Sequence, residues 1–296
     1  MEREIGIVGL GIMGGAMARN LLAAGWRVFG YDPDAAVAAA LAADGVAMQP
    51  DVAAVARAAP TIMTSLAAPA ALHETAAAIV AIVAAGVERR VVVEASTMTL
   101  DDKQAFEAVL RSGGHVALDC PISGTGAQAV TRDLVVYASG DTAEIAALRP
   151  FFADFTRALH DLGAYGNGSR MKFVANLLVA VHNVAAAEAM VLGMAAGLDP
   201  QRIVELIGAG VGTSRVFDLR APMMAANSYE PATMKMAVWQ KDMSIIGAFA
   251  ASLGVPTPLL SATAPIYDRA MASGHATHDT ASVCAVLEGM AGLQRH

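Results

Sequence analysis

Short apolar runs alternate with alanine-rich helical stretches along the first half of the chain. Runs of this kind are typical of strands that are covered on both faces of a sheet. Their alternation with helices predicts a doubly wound parallel sheet with a ligand crevice at the carboxyl ends of the strands. The predicted strands are Ile5–Leu10, Arg27–Asp32, Thr61–Leu66, Val91–Ala95, His115–Asp119 and Leu134–Ser139, the last of which is predicted to form a mixed edge with Arg157–Leu162.

After Gly163 the pattern changes to long helices with apolar residues at helical spacing. Because neither a heptad nor a fixed-period repeat is present, a packed bundle is favoured over a coiled coil or a solenoid. We therefore predict an α/β domain over residues 1–163 and an all-α domain over residues 164–296, joined by a long helix. The predicted helices are Ser169–Gly197, Asp199–Gly208, Lys235–Leu253 and Pro258–Ser273, and the prolines expected to interrupt the helical pattern are Pro200, Pro222, Pro256 and Pro258.

Composition excludes several classes of protein. A chain of 296 residues with 55% hydrophobic and 16% charged residues can bury two cores and is not disordered. Its net charge of −7 argues against a nucleic-acid partner, which requires a basic face. Cys120 and Cys284 cannot form a disulfide framework, and no Cys/His spacing resembles a zinc site, so we expect a reducing compartment and no metal.

The most apolar stretch, Phe173–Leu198, is too polar inside to predict a membrane span, because it contains two asparagines, a histidine and a glutamate. At the N-terminus, Glu2 and Glu4 lie where a signal peptide carries basic residues. We therefore expect a cytoplasmic protein without a membrane partner.

A glycine-rich motif follows the first predicted strand and leads into a predicted helix. Gly9 permits a tight turn, Gly11 lets the backbone approach a pyrophosphate, and Gly14 lets the helix pack closely. The N-terminus of the helix supplies N–H groups to the anion. A glycine-rich turn without a ligand is the alternative. The motif consists of Gly9, Leu10, Gly11, Ile12, Met13 and Gly14.

Asp32 favours the dinucleotide over the empty turn. It ends the second predicted strand, where a carboxylate can accept hydrogen bonds from the ribose diol of adenosine. The same carboxylate would repel a 2′-phosphate, and no Arg or Lys follows it within residues 33–36. The sequence therefore predicts a Rossmann domain that prefers NAD to NADP.

Polar residues follow the later strands at the same edge of the predicted sheet. Ser96 and Thr97 follow the fourth strand and are candidates either for cofactor contacts or for an N-cap. The segment Asp119–Gly126 follows the fifth strand, and its hydroxyls and exposed N–H groups suit a carboxylate ligand, although a plain turn explains it as well. We expect Cys120 to be a small buried residue.

Two motifs contain lysines, of which the chain has only four. Lys172 and Asn176 are four residues apart on the long helix, so they share one face and are expected to point into an interdomain cleft. An idle ammonium in this apolar stretch would be expensive to bury, which favours a functional role for Lys172. Lys241 and Asp242 are compatible with either a surface ion pair or a functional site.

In their order along the chain, these motifs resemble those of the β-hydroxyacid dehydrogenase family, typified by 3-hydroxyisobutyrate dehydrogenase and tartronate semialdehyde reductase. The resemblance covers the whole chain and implies a Rossmann domain, an all-helical second domain and dimers or tetramers. It implies that Lys172 is catalytic. Ser123, Gly124 and Asn176 match substrate-binding positions, Lys241 matches a position beside both cofactor and substrate, and Leu66, Ala67, Ala71 and Thr97 match cofactor contacts.

The sequence departs from the family pattern at three positions. Thr125 and Arg132 stand where the family has glycine, and Ala67 stands where it has proline. Thr125 is expected to add a hydroxyl to the substrate pocket. These departures leave the identity of the substrate open.

The reaction implied is oxidation of a small 3-hydroxy acid with NAD, or reduction of the matching semialdehyde, with Lys172 as general base or acid. Two alternatives remain at this point. One is an imine reductase-like enzyme, against which Lys172 argues. The other is a non-catalytic NAD-binding assembly protein.

Overall fold

The computed structural model describes residues 3–82 and 88–295. The chain divides into two compact units, Met1–Lys172 and Phe173–His296. The division therefore lies inside the long helix, whereas the sequence pattern placed it at residues 163 and 164.

The first unit contains the predicted parallel sheet, whose six strands include one short strand that was not predicted and exclude the predicted strand Leu134–Ser139. Its strand order is β3-β2-β1-β4-β5-β6, so the order reverses at β1, which pairs with β2 on one side and β4 on the other. Such a reversal opens a ligand crevice beyond the carboxyl end of the central strand. The strands are β1 (Glu4–Val8), β2 (Arg27–Tyr31), β3 (Ala47–Met48), β4 (Thr61–Thr64), β5 (Val91–Glu94) and β6 (Val116–Asp119).

A second, three-stranded sheet follows the first. β7 (Ile122–Ser123) runs antiparallel to β8 (Val135–Ala138), and β8 runs parallel to β9 (Ala158–Asp161). These three strands therefore form a mixed sheet of their own. The predicted mixed edge of the large sheet is wrong in this respect. A single bridge between Asp119 and Ser139 connects the two sheets.

Helices cover both faces of the large sheet, as the strand residues show. Ile7 and Val8 are neighbours on β1, yet they are buried in two different apolar clusters. Successive side chains of a strand point to opposite faces, so both faces are covered. The helices of this unit are α1 (Ile12–Ala23), α2 (Ala35–Ala43), α3 (Val52–Ala58), α4 (Pro69–Ala81), α5 (Leu100–Ser112), α6 (Gly126–Val130), α7 (Thr142–Ala147) and α8 (Arg149–Ala153).

The second unit is helical, as predicted. Pro222 does not interrupt the helical pattern as expected but lies inside α11. Buried residues on both sides of it, including Phe217 and Met224, anchor this helix, and such packing overrides the low helix propensity of proline. The helices are α9 (Asn167–Ala195), which begins in the first unit, α10 (Pro200–Gly208), α11 (Arg215–Ala226), α12 (Met236–Ser252), α13 (Pro258–Ala272) and α14 (Val283–Ala291).

By length and composition, α9 could cross a membrane, a test that the core helix of a folded domain also passes. One of its polar residues is packed within the second unit. The Asn183 amide is buried and donates to the Tyr267 hydroxyl at 3.1 Å and to the Thr280 carbonyl at 2.9 Å. These hydrogen bonds place one face of α9 in the core of the second unit.

Candidate active site

The glycine-rich loop has the geometry that its sequence predicts. Gly9 has φ +88°, and a Cβ on it would lie 2.3 Å from the Ser65 carbonyl oxygen. A Cβ on Gly14 would lie 1.9 Å from the Gly9 carbonyl oxygen, so α1 packs directly against the turn. At Gly11 a Cβ would meet nothing within 4 Å, because this residue faces open space. The loop therefore leaves room at the one glycine where a pyrophosphate is expected.

Asp32 lies just after β2 beside this loop. One carboxylate oxygen accepts the Leu10 N–H at 2.7 Å and the other accepts the Asp34 N–H at 2.9 Å. Each oxygen keeps a lone pair for a further donor, so the oriented carboxylate can still bind a ribose diol.

A cavity of about 690 Å³ opens at this edge of the sheet. Its volume and its bare glycine fit the adenosine and pyrophosphate of a dinucleotide. Leu10, Ile12, Met13, Gly14 and Thr97 are not among the described residues that line it, and the Leu10 side chain is buried in the core. The predicted cofactor residues that do line it are Gly9, Gly11, Asp32, Leu66, Ala67 and Ala71.

Two further carboxylates line the same cavity, those of Asp51 and Glu74, which the sequence did not single out. Asp51 is the N-cap of α3, and its carboxylate accepts the Ala54 N–H at 2.7 Å. No arginine or lysine is among the described residues that line this cavity. Its fixed charges are therefore negative.

Ser96 is hydrogen-bonded to the loop after β4 and does not cap a helix N-terminus. Its hydroxyl accepts the Leu66 N–H at 2.7 Å, and its own N–H donates to Glu94 at 2.9 Å. The N-cap of α5 is Thr99, whose side chain accepts the Asp102 N–H. The alternative of an N-cap at Ser96 or Thr97 is therefore wrong.

The segment after β6 forms a constrained loop. Gly124 has φ +143°, and a Cβ on it would lie 2.4 Å from the Leu134 side chain, so this position requires glycine. Ser123 lies in β7. Thr125 is the N-cap of α6, and its N–H donates to the Gln128 side chain at 3.1 Å. Arg132 has φ +60°, a left-handed conformation that the family glycine would adopt without strain.

Cys120 is fully buried beside Asp119, as expected of a small core residue. Burial and the neighbouring Asp119 charge raise its pKa well above the ordinary range of a thiol. A thiol that keeps its proton is a poor nucleophile.

The first turn of α9 is bonded to the end of β6. The Asp119 carboxylate accepts the Ser169 N–H and the Ser169 hydroxyl, each at 2.8 Å. The Gly168 N–H donates to the Ser139 hydroxyl at 2.9 Å. A Cβ on Gly168 would lie 2.6 Å from the Asp119 carbonyl oxygen, so only glycine permits this approach. Lys172 follows one turn later on the same helix and is 6% exposed.

In the second unit, Asn176 and Lys241 both contact Asp242, which the sequence singled out only as the neighbour of Lys241. The buried Asp242 carboxylate accepts the Asn176 amide at 3.2 Å and lies 3.3 Å from the Lys241 ammonium. Asp242 therefore orients both predicted residues. The contact joins α9 to α12 across 66 positions of sequence, so only the Lys241-Asp242 dipeptide signalled it.

Within residues 3–82 and 88–295, no three His, Cys, Asp or Glu side chains are grouped so that they could hold a metal ion.

Both halves of the chain match known domain families. Residues 4–166, more than half of the chain, match the NAD binding domain of 6-phosphogluconate dehydrogenase. Residues 166–287 match the NAD-binding domain of NADP-dependent 3-hydroxyisobutyrate dehydrogenase. These matches identify an NAD(P)-binding protein without distinguishing NAD from NADP.

Curated relatives span the full length of the chain. L-threonate dehydrogenase of Cupriavidus necator is 28% identical over 291 residues, which are 98% of each chain. A probable 3-hydroxyisobutyrate dehydrogenase of Mycobacterium bovis is 29% identical over 294 residues, which cover 97% of this chain and 98% of the relative.

Solved structures also match this chain over nearly its full length. The 3-hydroxyisobutyrate dehydrogenase of Mycobacterium tuberculosis with L-serine superposes with a TM-score of 0.84 at 28% identity, over 97% of this chain and 99% of that one. A Streptomyces aurantiacus imine reductase reaches a TM-score of only 0.61 at 21% identity, over 96% and 99% of the two chains. The imine reductase shares the fold alone, so the hydroxyacid dehydrogenases are the nearer relatives.

Proposed function

We propose, from the premise that the chain belongs to the β-hydroxyacid dehydrogenase family, that it oxidises a small 3-hydroxy acid with NAD or reduces the matching semialdehyde. The chain is an oxidoreductase of this family. The observation that carries the proposal is the position of Lys172, a buried lysine one turn after a helix start that is bonded to the end of β6.

NAD, when bound, would supply a nicotinamide ring as the acceptor of the hydride from the carbinol carbon of the substrate. Gly9, Gly11 and Asp32 would hold the adenosine and pyrophosphate, together with Leu66, Ala67 and Ala71 of the cavity wall. Lys172 accepts the proton of the substrate hydroxyl in oxidation, for which its neutral amine is required, and returns that proton in reduction.

The preference for NAD over NADP follows from the charges of the cavity. Asp32, Asp51 and Glu74 line it. A 2′-phosphate would add two negative charges to a space that already contains three carboxylates. Like charges at short range are unfavourable, so NADP should bind more weakly than NAD.

Residues around Ser123 would bind the substrate carboxylate. The loop of Ser123, Gly124 and Thr125 offers hydroxyl and N–H donors after β6, and Asn176 and Lys241 are donors oriented by Asp242. The substrate class is supported by the relatives, since threonate and 3-hydroxyisobutyrate are both small hydroxy acids. L-serine, present with the tuberculosis enzyme, also has a hydroxyl on its third carbon.

The experiment is a set of initial rates, followed by cofactor absorbance. Small 3-hydroxy acids and their semialdehydes are assayed with NAD(H) and with NADP(H). We expect turnover of at least one compound, faster with NAD at low cofactor concentration. Lys172→Ala should lose about 10²- to 10⁴-fold in kcat while it still binds NAD. Turnover of no hydroxy acid, or a Lys172→Ala variant of normal rate, would contradict the proposal.

A homo-oligomer and a cytoplasmic location are also proposed. The family resemblance supports a homodimer or homotetramer, and the two free, buried cysteines suit the reducing cytoplasm. Light scattering after size exclusion would measure the oligomeric state, and a monomer would contradict it.

A further inference from the structure

Lys103 is a buried lysine that the mechanism above does not use. It lies on α5 and is 0% exposed, as are Glu94 and Asp119, the two carboxylates that face it. Its ammonium lies 3.0 Å from Asp119 and also contacts Glu94. We call these three residues the Lys103 cluster.

A buried cluster of this kind is weak support for stability alone. Removing three charged groups from water is costly, and apolar residues of similar size often stabilise a core as well. The explanation for such a cluster therefore has to come from what its atoms hold in place.

Both carboxylates of the Lys103 cluster are bonded to segments of the candidate site. On one side Glu94 accepts the Ser96 N–H at 2.9 Å, and the Ser96 hydroxyl accepts the N–H of Leu66, which lines the cofactor cavity. On the other side Asp119 accepts two hydrogen bonds from Ser169, one turn before Lys172. Lys103 joins the two carboxylates through its side chain, while their strands are paired with each other through the backbone.

Asp119 also begins the predicted substrate loop. Cys120 and Pro121 follow it directly, and Ser123 lies four residues later. The Ser139 hydroxyl donates to the Asp119 carboxylate at 3.2 Å and accepts the Gly168 N–H. A displacement of Asp119 would therefore move the helix start and the loop together.

Lys103 keeps its charge in this setting. Burial opposes the charge, but attraction and hydrogen bonds from Asp119 and Glu94 outweigh it and raise the pKa of Lys103 to about 12. The Tyr165 hydroxyl donates to the Lys103 carbonyl at 3.0 Å, which fixes α5 to the segment before α9.

We propose that Lys103 is a positioning residue that holds Glu94 and Asp119 in place. Through them it fixes the loop after β4 that contains Leu66, the substrate loop that contains Ser123, and the first turn of α9, which precedes Lys172. This inference rests on the proposed function, because it assigns Lys103 to the same reaction. Lys103 itself is expected to touch neither substrate nor cofactor.

The test compares Lys103→Met, Lys103→Arg and a control, Arg220→Met, which breaks a buried Arg–Asp pair in the second unit. Rates are expressed per bound NAD, measured by calorimetry, so that unfolded protein does not count. We expect Lys103→Met to lower kcat by about 10- to 100-fold and to raise KM for the hydroxy acid, because small misplacements near the chemistry have effects of this size. Lys103→Arg should retain more activity, and Arg220→Met should keep both constants within about twofold of wild type.

A second measurement does not require turnover. Hydrogen exchange over residues 166–172 should accelerate in Lys103→Met relative to Arg220→Met at equal distance from the unfolding midpoint. If wild type turns over no hydroxy acid, the proposed function fails, and this exchange measurement still decides whether Lys103 holds the helix start.

If Lys103→Met does not fold, the double variant Lys103→Met with Glu94→Gln replaces it, because it keeps the net charge of the cluster. The double variant should fold and still show the lowered kcat, since the link between the two sides is cut. Either variant with wild-type kcat, KM and exchange would overturn the inference and make Lys103 a stabilising residue only.

Discussion

Each compact unit of this protein buries a cluster of opposite charges, and the two clusters differ in what they hold. In the second unit Arg220 is paired with Asp279, and both are buried. We call Arg220, Asp279 and Thr233 the Asp279 cluster. Its carboxylate accepts the N–H groups of Thr233, Met234 and Ala281 at 2.8 to 3.1 Å. The first two lie in the loop before α12, and Ala281 lies in the short 3₁₀ helix that Asp279 caps.

The Lys103 cluster has the opposite arrangement. Its carboxylates accept hydrogen bonds from segments that carry predicted site residues, at Ser96 on one side and at Ser169 on the other. Burial of an ion pair therefore does not by itself indicate function. The segments that its other hydrogen bonds hold in place distinguish a cluster that stabilises the fold from one that positions site residues.

Loss of the Asp279 cluster should produce a large change in stability. Arg220→Met leaves a carboxylate buried without its cation, which typically costs about 3 to 5 kcal/mol. Urea unfolding would measure the change. The Asp279 cluster holds the segment before α12 at Met234, seven residues before Lys241, whereas the Lys103 cluster holds Ser169, three residues before Lys172, so kcat per folded molecule should stay close to wild type in Arg220→Met. A large fall in kcat at low urea would show that the Asp279 cluster also arranges the site.

The pH dependence of stability should separate the two clusters next. The pKa of Lys103 rises from 10.5 to about 12, which corresponds to about 2 kcal/mol. A raised pKa gives stability that is complete below the unfolded value and is lost as pH rises through about 12. Burial favours the protonated form of Asp279, but Arg220 and nearby hydrogen bonds lower its pKa, so its contribution is lost as pH falls below about 4.

Unfolding in urea can test both signs. The stability difference between wild type and Lys103→Met should shrink between about pH 9 and pH 11.5, while that between wild type and Arg220→Met should shrink between about pH 6 and pH 3. Differences that do not change with pH would contradict the assigned charges.

Many of these features could be predicted from the sequence, and those that could not share a physical cause. Local signals predicted most of the strands, the glycine loop and the lysine of α9, because apolar runs, glycine spacing and an isolated charge in an apolar stretch are visible without the fold. Lys103 follows Asp101 and Asp102 on a helix with a polar face, so it resembles a surface residue. Only the placement of β5 and β6 beside α5 buries it.

The other features that the sequence did not predict also depend on contacts with distant parts of the chain. β3 and β7 are two-residue strands formed by pairing with distant segments, which leaves no periodic signal. Pro222 lies within a helix because buried neighbours anchor it. Asp242 meets Asn176 only after α12 packs against α9.

Two asparagines of α9 should extend the comparison within the second unit. Asn176 and Asn183 are both buried, but Asn176 donates to Asp242, which also pairs with Lys241, whereas Asn183 donates to Tyr267 and Thr280 in the helical core. Asn183→Ala should therefore cost about 1 to 2 kcal/mol of stability with little effect on kinetics. Asn176→Ala should chiefly raise KM for the hydroxy acid. A raised KM in Asn183→Ala, together with a loss of stability alone in Asn176→Ala, would contradict the assignment.

The two cysteines supply the most sensitive test, since one is buried in each unit. Burial raises the pKa of Cys284 to about 12, with a further increase from Glu288, and the pKa of Cys120 is raised well above its usual range. Reaction with iodoacetamide therefore requires local opening, and each kcal/mol of lost protection speeds it about fivefold. Lys103→Met should speed alkylation of Cys120, and Arg220→Met should speed alkylation of Cys284, as peptide mass spectrometry would show. Equal acceleration of both cysteines in both variants would mean that the units open as one, and the contrast between the clusters would then have to rest on catalysis alone.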